Sequence, residues 1–382
     1  MDGTSLNDKA WRRLRRNKSA LFGLWFIAFT IVLALFAYIA APDNSPSANE
    51  QMLQLAMQPP GFSIYILKIS KEHFQKKSLL ASLSDGFNKD YDPIPVTAFR
   101  YLHDSLQFDE YRGKSFKTEE RTMAYDDILG PAYIHLAPDD KKALVEQCQL
   151  SERKYWLGTD KFGRDILSRL IIGTRVSLSV GLIAVLISLL IGIVLGALAG
   201  YFSGWIDQSI MWVINVFWSI PTLLLAMGLY ISAGSLVENK LVLIFIAVGL
   251  TMWVDTARMV RGQFIATRDM EYVTAARSMG FNDTRIIFRH ILPNILGPII
   301  VIACANFAAA ILVESGLSFI GLGIQPPAPS WGSMLNEYKD FIDTNKAYLA
   351  IFPGAAIMLL VLAFNLLGNG LRDALDVKGQ LE

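Results

Sequence analysis

The sequence predicts an all-α polytopic membrane protein with six transmembrane helices, interrupted after the first of them by an inserted polar module. Of the 382 residues, 53% are hydrophobic and 18% are charged, whereas about a quarter of the residues in ordinary soluble domains are charged. The apolar residues are collected in runs that are long enough to cross a bilayer. Between the first two runs lies a polar stretch, residues 42–152, that contains no such run.

The N-terminal residues predict a cytoplasmic basic segment followed by a membrane anchor. Residues 1–20 carry a basic cluster, and the apolar run 21–41 follows it directly. This run corresponds to a helix of about 31 Å, which is enough to span the hydrocarbon core. A cleaved signal peptide is the alternative, but its apolar core is shorter, about 7–15 residues. The positive-inside rule places the basic cluster in the cytoplasm.

Residues 42–152 predict a soluble α+β module on the outer side of the membrane. Two stretches, 62–69 and 95–101, alternate loosely between apolar and polar residues, as strands do. Residues 139–150 have the composition of a short helix.

The cysteines and histidines predict neither a disulfide framework nor a metal site. The two cysteines, Cys148 and Cys304, are too few for a framework, and Cys304 lies in an apolar run. Three histidines of the module lack the spacing of metal ligands: His73, His103 and His135.

The residues before the second apolar run form a block dense in glycine and charge, YWLGTDKFGRDILSRLIIGTR, at 155–175. Acidic and basic residues alternate in this outer block. The pattern predicts a solvated helix at the membrane interface, whose ion pairs contribute little to stability.

Five further spans are predicted at 176–199, 206–231, 241–254, 295–319 and 349–367. Pro221 lies inside the third span, where a kink either lines a pathway or only serves packing. The fourth span ends before Asp255. Glu314 lies about 28 Å along the fifth span, near the outer interface, and is a candidate for either a substrate contact or hydrogen bonding there. Arg372 and Lys378 predict a cytoplasmic C-terminus.

A polar segment at 255–294, which we call the coupling loop, carries six arginines between the fourth and fifth spans. Its charge predicts the same side as the basic N-terminus, the cytoplasm. Four residues recur at helical spacing and predict one helix face: Tyr272, Ala275, Ala276 and Met279.

Gly280 stands where a helix C-terminus requires a left-handed residue, and Asn282 or Asp283 then caps a second helix. The segment is therefore predicted to be two short helices joined at a glycine. Residue types leave three roles open: a helix lying on the bilayer, core packing, or docking in a groove of a partner whose motion it transmits.

Five blocks in order resemble the permease subunits of bacterial ABC importers for dipeptides and oligopeptides, specifically the second of the two permease types. The blocks are WRRLRRNKSALFG, WLGTDKFGRDILSRLIIGTRVSL, the segment Glu271–Pro293, LSFIGLGIQPPAPSWGSML and LAFNLLGNGLRDALD. The resemblance covers residues 9–41 and 153–378 and leaves the inserted module unexplained.

By this resemblance, the coupling loop contacts an ATPase through Glu271, Tyr272, Ala275, Ala276, Arg277, Gly280, Leu292 and Pro293. The outer-face family motif comprises Gly158, Thr159, Asp160, Gly163, Arg164, Asp165 and Arg169. The pathway candidates are Pro221, Asn215 and Glu314. Thr274 departs from the family, which has an acidic residue there, and Trp212 and Asn215 replace an arginine and an aspartate.

The resemblance implies the type I ABC importer permease fold with a cytoplasmic coupling helix. It implies a bacterial inner-membrane protein with both termini in the cytoplasm and residues 42–175 largely outside. The expected partners are a second permease, two cytoplasmic ATPase subunits, an extracytoplasmic peptide-binding protein and the bilayer, with no nucleic acid. The chain carries no phosphate-binding loop, so ATP and magnesium are expected on the ATPase partners, and no catalytic or metal-binding residue is expected here.

Three alternatives remain at this level. The importer could carry another small solute, such as a nickel chelate or a sugar. A membrane receptor would use residues 42–152 as its sensor, but the sequence has no recognisable output domain. An intramembrane enzyme would need paired reactive groups within the spans, where only Glu314 is available.

Overall fold

The computed structural model describes residues 6–71, 77–113 and 117–375; His73 and Lys378 lie outside these ranges. The helices are α1 (Leu6–Arg16), α2 (Lys18–Leu35), α3 (Ala37–Ala40), α4 (Leu79–Asp85), α5 (Tyr125–Leu129), α6 (Pro138–Leu144), α7 (Ile166–Phe202), α8 (Gly204–Trp218), α9 (Thr222–Ala233), α10 (Lys240–Thr267), α11 (Glu271–Ser278), α12 (Asp283–Arg285), α13 (Leu296–Phe319), α14 (Trp331–Tyr338) and α15 (Tyr348–Leu375). The strands are β1 (Phe62–Ser70), β2 (Tyr91–Tyr101), β3 (Ser105–Glu110), β4 (Glu119–Ala124) and β5 (Leu150–Tyr155).

The protein is mostly helical. In the described ranges, five helices are long and apolar enough to cross a membrane: α2, α7, α10, α13 with the turns before it, and α15. The count is six if the bent pair α8 and α9 forms one span. The number equals the six that the apolar runs predict only when this bent pair is counted as one span.

Close packing of α7 against α10 forms the centre of the bundle. Gly192, Gly196 and Gly200 recur on one face of α7, and that face meets α10. A Cβ atom at Gly196 would lie 2.5 Å from the carbonyl oxygen of Ala257, and one at Gly200 would lie 2.5 Å from Cβ of Phe264. Small residues allow two membrane helices to approach this closely.

The third predicted span, 206–231, is wrong as a single kinked helix. The chain leaves the helix after Trp218 and resumes it at Thr222, and the axes of α8 and α9 differ by 93°. Pro221 precedes α9 instead of lying inside a helix. Because proline has no backbone N–H, it cannot donate the hydrogen bond that would continue α8.

Two helices extend far beyond the apolar runs that predicted them. α10 continues from the predicted end of the fourth span at 254 to Thr267, so the first residues of the predicted coupling loop are helical. α7 begins at Ile166, ten residues before the predicted span 176–199. Hydropathy indicates which residues suit the membrane, but a helix can continue beyond an apolar run when its side chains are packed. In the extension of α10, Val260 and Phe264 are fully buried.

The inserted segment contains a five-stranded antiparallel sheet with the strand order β4-β3-β2-β1-β5. The stretches predicted as strands lie within β1 and β2. β1 is an inner strand paired on both sides: Tyr65 is opposite Val96 of β2 and Glu152 of β5. Because the chain enters the sheet at Phe62 and leaves it at Tyr155, both connections to the helical bundle are at one end of β1 and β5.

The two faces of this sheet pack against different elements. One face, with Leu67 and Phe108, is covered by α5 and its neighbours in a core that includes Ile128. The other face contributes Ile64 and Ile66 to a cluster with residues of the N-terminal segment that follows α3, namely Met52 and Leu55. The sheet is thus attached to the bundle through the segment between α3 and β1.

Candidate functional site

The outer block, residues 158–169, connects β5 to α7 and is built on two glycines with left-handed backbone. Gly158 has φ +81° and Gly163 has φ +75°. A Cβ atom at Gly163 would lie 1.8 Å from the carbonyl oxygen of Met52, and one at Gly158 would lie 2.4 Å from that of Gln58. Both glycines are therefore required by backbone conformation and by the close approach of the segment before β1.

Thr159 fixes the contact between the outer block and that segment. Its hydroxyl accepts a hydrogen bond from the backbone N–H of Gln58 at 2.8 Å and donates one to the carbonyl oxygen of Leu55. The backbone N–H of Thr159 in turn donates to the carbonyl oxygen of Gln58 at 3.1 Å.

Four charged residues of the outer block and α14 form a buried network. Asp160 is fully buried, and its Oδ2 accepts hydrogen bonds from Arg164 Nε at 2.6 Å and from the Tyr338 hydroxyl at 3.0 Å. Arg164 also reaches Glu337, with Nη2 2.7 Å from Oε1. Arg169 completes the set, with Nη2 3.5 Å from Glu337 Oε2. The two positive and two negative charges cancel.

The prediction of a solvated helix at this block is wrong. Arg164 and Arg169 are each 2% exposed, and α7 begins at Ile166 inside the structure. A buried ion pair differs from a surface pair because removal of one partner leaves an uncompensated charge in a poorly solvated place. The basic residues of this block therefore form contacts inside the chain.

A second set of charges links the outer block to the sheet. Ser168 Oγ accepts a hydrogen bond from the backbone N–H of Asp43 at 2.7 Å, and Asp43 Oδ1 lies 2.9 Å from Lys89 Nζ. Lys89 also contacts Glu50, 2.6 Å away, and Glu50 pairs with Arg153 of β5. Burial alone would raise the pKa of Asp43, but the charges of Lys89 and Arg153 outweigh it and hold that pKa below its ordinary value.

Asp165 caps the N-terminus of α7. Its Oδ2 accepts hydrogen bonds from the backbone N–H of Ser168 at 2.9 Å and from the Ser168 hydroxyl. Burial raises the pKa of this carboxyl, and the hydrogen bonds from Ser168 oppose the rise.

The coupling helix α11 ends in the turn that the sequence predicts. Gly280 has φ +77°. Its backbone N–H donates to the carbonyl oxygen of Arg277, and the N–H of Phe281 donates to that of Ala276, at 3.0 and 3.2 Å. This pair of bonds is the Schellman arrangement for a helix C-terminus. Asn282 is the residue that caps α12, because its Oδ1 accepts the backbone N–H of Arg285 at 3.0 Å.

The predicted face of α11 is divided between the interior and the surface. Ala276 is 1% exposed and lies with Val273 in a core, so it does not belong to the outward face. Tyr272 is 39% exposed, Met279 is 66% exposed, and Ala275 between them is also exposed. The outward apolar face, which we call the α11 face, consists of Tyr272, Ala275 and Met279.

The remaining coupling residues lie around the α11 face. Glu271, in the first turn of α11, and Arg277, in its last turn, are both exposed. Leu292 is partly buried, and Pro293 is exposed in the short helical turn that leads into α13.

The inner side of α11 is fixed to the ends of α7 and α10. Val273 and Ala276 share a core with Tyr201 of α7 and Phe264 of α10. The Tyr201 hydroxyl also donates a hydrogen bond to Asp283 Oδ1 at 2.6 Å. A force applied to the α11 face is therefore carried directly to both helices.

The ends of these helices are also joined by arginines. Arg261 of α10 makes a bidentate contact with Asp207 of α8, with distances of 2.5 and 2.7 Å. Arg268 donates to the carbonyl oxygen of Gly200 at 3.1 Å. Two of the six arginines of the predicted loop thus hold the helices together.

Comparison with known proteins identifies the family. Residues 192–378 match the model of the binding-protein-dependent transport system inner membrane component, and residues 5–60 match the N-terminal transmembrane domain of oligopeptide transport permease C. A glutathione transport system permease from Pectobacterium atrosepticum is 44% identical over 64% of this chain and 80% of its own length. The chain belongs to this family of permeases.

Two further proteins are similar to this permease. A dipeptide transport system permease from Alkalihalophilus pseudofirmus is 44% identical over 59% of this chain and 72% of its own length. Among solved structures, an inward-facing methionine ABC transporter aligns with a TM-score of 0.46 at 17% identity, over 54% of this chain and 96% of that one. The sheet from Phe62 to Tyr155 lies between the two family matches.

The three pathway candidates of the permease lie in different surroundings. Pro221 and Asn215 are exposed. Glu314 is 1% exposed, and its Oε1 accepts hydrogen bonds from the hydroxyls of Ser318 at 2.8 Å and Ser330 at 3.0 Å. Glu314 therefore joins α13 to the start of α14 through these hydrogen bonds.

Asp255 and Arg258 of the permease lie within α10, beyond the predicted end of the fourth span at 254. Asp255 was predicted to mark the inner end of the fourth span, yet it lies in the interior of α10 and is exposed there. Arg258 contacts α8, where Asn215 Oδ1 lies 3.4 Å from Nη2 and the Trp218 ring lies 4.0 Å from the guanidinium carbon.

Proposed function

We propose that this chain is the permease subunit of an ATP-driven importer of di- and oligopeptides, and that it forms half of the translocation pathway. The two relatives named above are permeases of glutathione and dipeptide transport systems, and glutathione is itself a tripeptide. The observation that carries the proposal is the α11 face: it is apolar and exposed, and it stands on a helix whose other side is fixed to α7 and α10.

An amphipathic helix that is anchored on one side and open on the other suits docking in the groove of a partner. In the proposed mechanism, ATPase closure displaces α11, and the core around Val273 and Ala276 passes the displacement to α7 and α10 as a rigid body. The spans then alternate between inward-facing and outward-facing arrangements. The ATPase would contact α11 differently in the inward-facing and outward-facing arrangements, and this difference would shift the equilibrium between them.

The proposal assigns the remaining partners by the same logic. Two cytoplasmic ATPase subunits bind ATP and magnesium and carry out hydrolysis, and this chain carries no catalytic role. A second permease completes the pathway, and an extracytoplasmic binding protein delivers the peptide. The complex lies in the bacterial inner membrane with both termini of this chain in the cytoplasm.

In this topology the outer block and the sheet stand on the extracytoplasmic side. The sheet lies between the two segments that match the family. It is attached to the outer block through Asp43, Lys89 and Arg153. Its place above the spans suits a docking platform for the binding protein or a brace on the second permease.

Substitution of the two neighbouring alanines of α11 tests the coupling role. Ala275→Trp adds bulk on the exposed face, and we expect ATP-driven peptide uptake by the reconstituted complex to fall at least about tenfold without a change in Tm. Ala276→Trp overpacks the core, and we expect it to destabilise the permease by about 1–3 kcal/mol. Uptake of labelled peptide into liposomes and thermal unfolding are the two measurements.

Ala275→Ser, which adds only a hydroxyl at the same exposed position, is the matched control and should leave uptake unchanged. Normal uptake by the Ala275→Trp complex would contradict the coupling role of α11.

A further inference from the structure

Asp255 lies at the depth of the hydrocarbon core. α10 has 28 residues and begins at Lys240, next to the polar end of the preceding loop. Counting from Leu241, a core of about 30 Å reaches to about residue 260. The neighbouring packing agrees, because a Cβ atom at Gly192, inside the apolar run of α7, would lie 2.5 Å from Cβ of Thr256.

Asp255 is also exposed, and no ion-pair or hydrogen-bond partner for its carboxylate occurs in the part of the chain that the structure describes. Arg258, one turn away, would be the ordinary partner at this spacing. Its guanidinium instead lies over the Trp218 ring, 4.0 Å from the centroid. The carboxylate of Asp255 is thus left available to a group outside this chain.

The helix break between α8 and α9 lies at the same depth. Arg258 contacts Trp218, the last residue of α8, so the break is level with this turn of α10. The residues of the break, Ser219, Ile220 and Pro221, are exposed. Non-helical backbone at membrane depth is tolerated only where it is covered by protein or lines a water-filled cavity.

Two independent features therefore exclude lipid from the same face of the bundle. An exposed carboxylate is costly in hydrocarbon, and so is exposed backbone at a helix break. In this break the N–H groups of Ser219 and Ile220 still bond back to α8, whereas Pro221 has no N–H and ends the helical ladder. A cavity of about 360 Å³ adjoins this face on its cytoplasmic side. It is lined mostly by apolar residues, including Met259, Val301 and Ala305, and also by Gln263 and Arg372. The face thus offers a negative charge next to an apolar cavity.

We propose that Asp255 binds the N-terminal ammonium group of the peptide during its passage, with the apolar cavity accepting a side chain. This inference rests on the proposed function and adds a specific contact to it. An ammonium group forms a charge-assisted hydrogen bond with an unpaired carboxylate, and such bonds gain strength where water is scarce. Asn215 and Pro221 then belong to the pathway as the residues that shape the broken helix opposite Asp255.

A comparison of two peptides tests the inference in the complete transporter with its binding protein. One is a tripeptide with a free N-terminal amine, and the other is its des-amino analogue, in which hydrogen replaces the amine. Asp255→Asn should slow uptake of the free-amine peptide about tenfold, because a charged hydrogen bond is lost. Uptake of the analogue should stay unchanged, so the ratio of the free-amine rate to the analogue rate should fall. The ratio is compared between the substituted and unsubstituted transporters. Because both use the same binding protein, its own preference for one peptide cancels.

Asp255→Glu should restore most of the ratio, and Glu238→Gln, which removes an exposed carboxylate outside the span, should leave it unchanged. An unchanged ratio in Asp255→Asn would overturn the inference. So would an equal fall in both rates together with a lower Tm, the result expected if Asp255 pairs with a cation of the second permease. Failure of the unsubstituted complex to take up either peptide would instead refute the proposed function.

Discussion

The outer block and the coupling segment are built from the same residue types and differ in what surrounds them. Each contains a glycine in the left-handed region, arginines and acidic residues next to a long membrane helix. In the outer block the charges of Asp160 and Arg164 are buried and paired. In the coupling segment Arg277 and Glu271 are exposed. The first set of charges has its partners inside the chain, and the second is available to a partner outside it.

This difference separates charged residues that stabilise the fold from charged residues that are available to bind a partner. The outer block and its neighbouring charges hold four elements together: the segment before β1, the start of α7, α14, and β5. The coupling helix α11 is attached mainly by apolar contacts of Val273 and Ala276 and leaves the charges of Glu271 and Arg277 at the surface. Substitutions in the two regions should therefore affect different measurements, stability in one and uptake in the other.

The largest contrast is expected between two arginines. Arg164→Ala leaves Asp160 and Glu337 buried with too little positive charge, and we expect a loss of about 3–5 kcal/mol of stability. Arg277→Ala should change stability by no more than about 0.5 kcal/mol, because its side chain is exposed, while it lowers ATP-driven uptake. Thermal unfolding of the purified complex and uptake in liposomes measure the two effects.

Lys161→Ala is the control in the outer block, since its Nζ lies 3.7 Å from Glu337 at the partly exposed rim of the network. It should cost at most about 1 kcal/mol. A similarly small effect for Arg164→Ala would show that the network contributes nothing beyond a surface pair.

A smaller contrast is expected between two glycines. Gly163→Ala adds left-handed strain and a clash with the carbonyl of Met52, with an expected cost of about 2–4 kcal/mol. Gly280→Ala adds only the strain, about 1 kcal/mol, because nothing lies within 4 Å of the added Cβ. Gly280→Asn should recover part of that loss, since asparagine tolerates this conformation. Equal thermal shifts for both alanine variants would contradict the close packing at Gly163.

The smallest effect is a pH dependence confined to the outer charges. The pKa of Asp43 is below its ordinary value of 3.8 in the folded protein, so its carboxylate stabilises the fold above that value. This contribution is lost as the pH falls through the folded-state pKa. The Tm difference between the original protein and Asp43→Asn should therefore be constant near neutral pH and should shrink below about pH 4. Asp104→Asn, at an exposed turn, should show no such trend.

Local sequence signals were sufficient for several parts of this fold. The apolar runs located the membrane helices, the alternation at 62–69 located β1, and Gly280 and Asn282 located the turn between α11 and α12. Each of these depends on residues close together in the chain, because helix capping and strand alternation are short-range effects.

The environments of the charged residues were decided by tertiary structure. The sequence predicts a solvated helix for Asp160 and Arg164, groups Ala276 with three other residues on one face of a helix, and puts Asp255 at the inner end of the fourth span. The residues that they or their neighbours contact are distant in the chain. Arg164 pairs with Glu337, Ala276 packs in a core with Phe264, and Arg258, one turn from Asp255, lies over the ring of Trp218. The sequence alone determined which segments are candidates to cross the membrane, because mean hydropathy depends only on residues that are consecutive in the chain. Only the tertiary structure decided which charges are buried, because burial depends on contacts between segments that are far apart in the sequence.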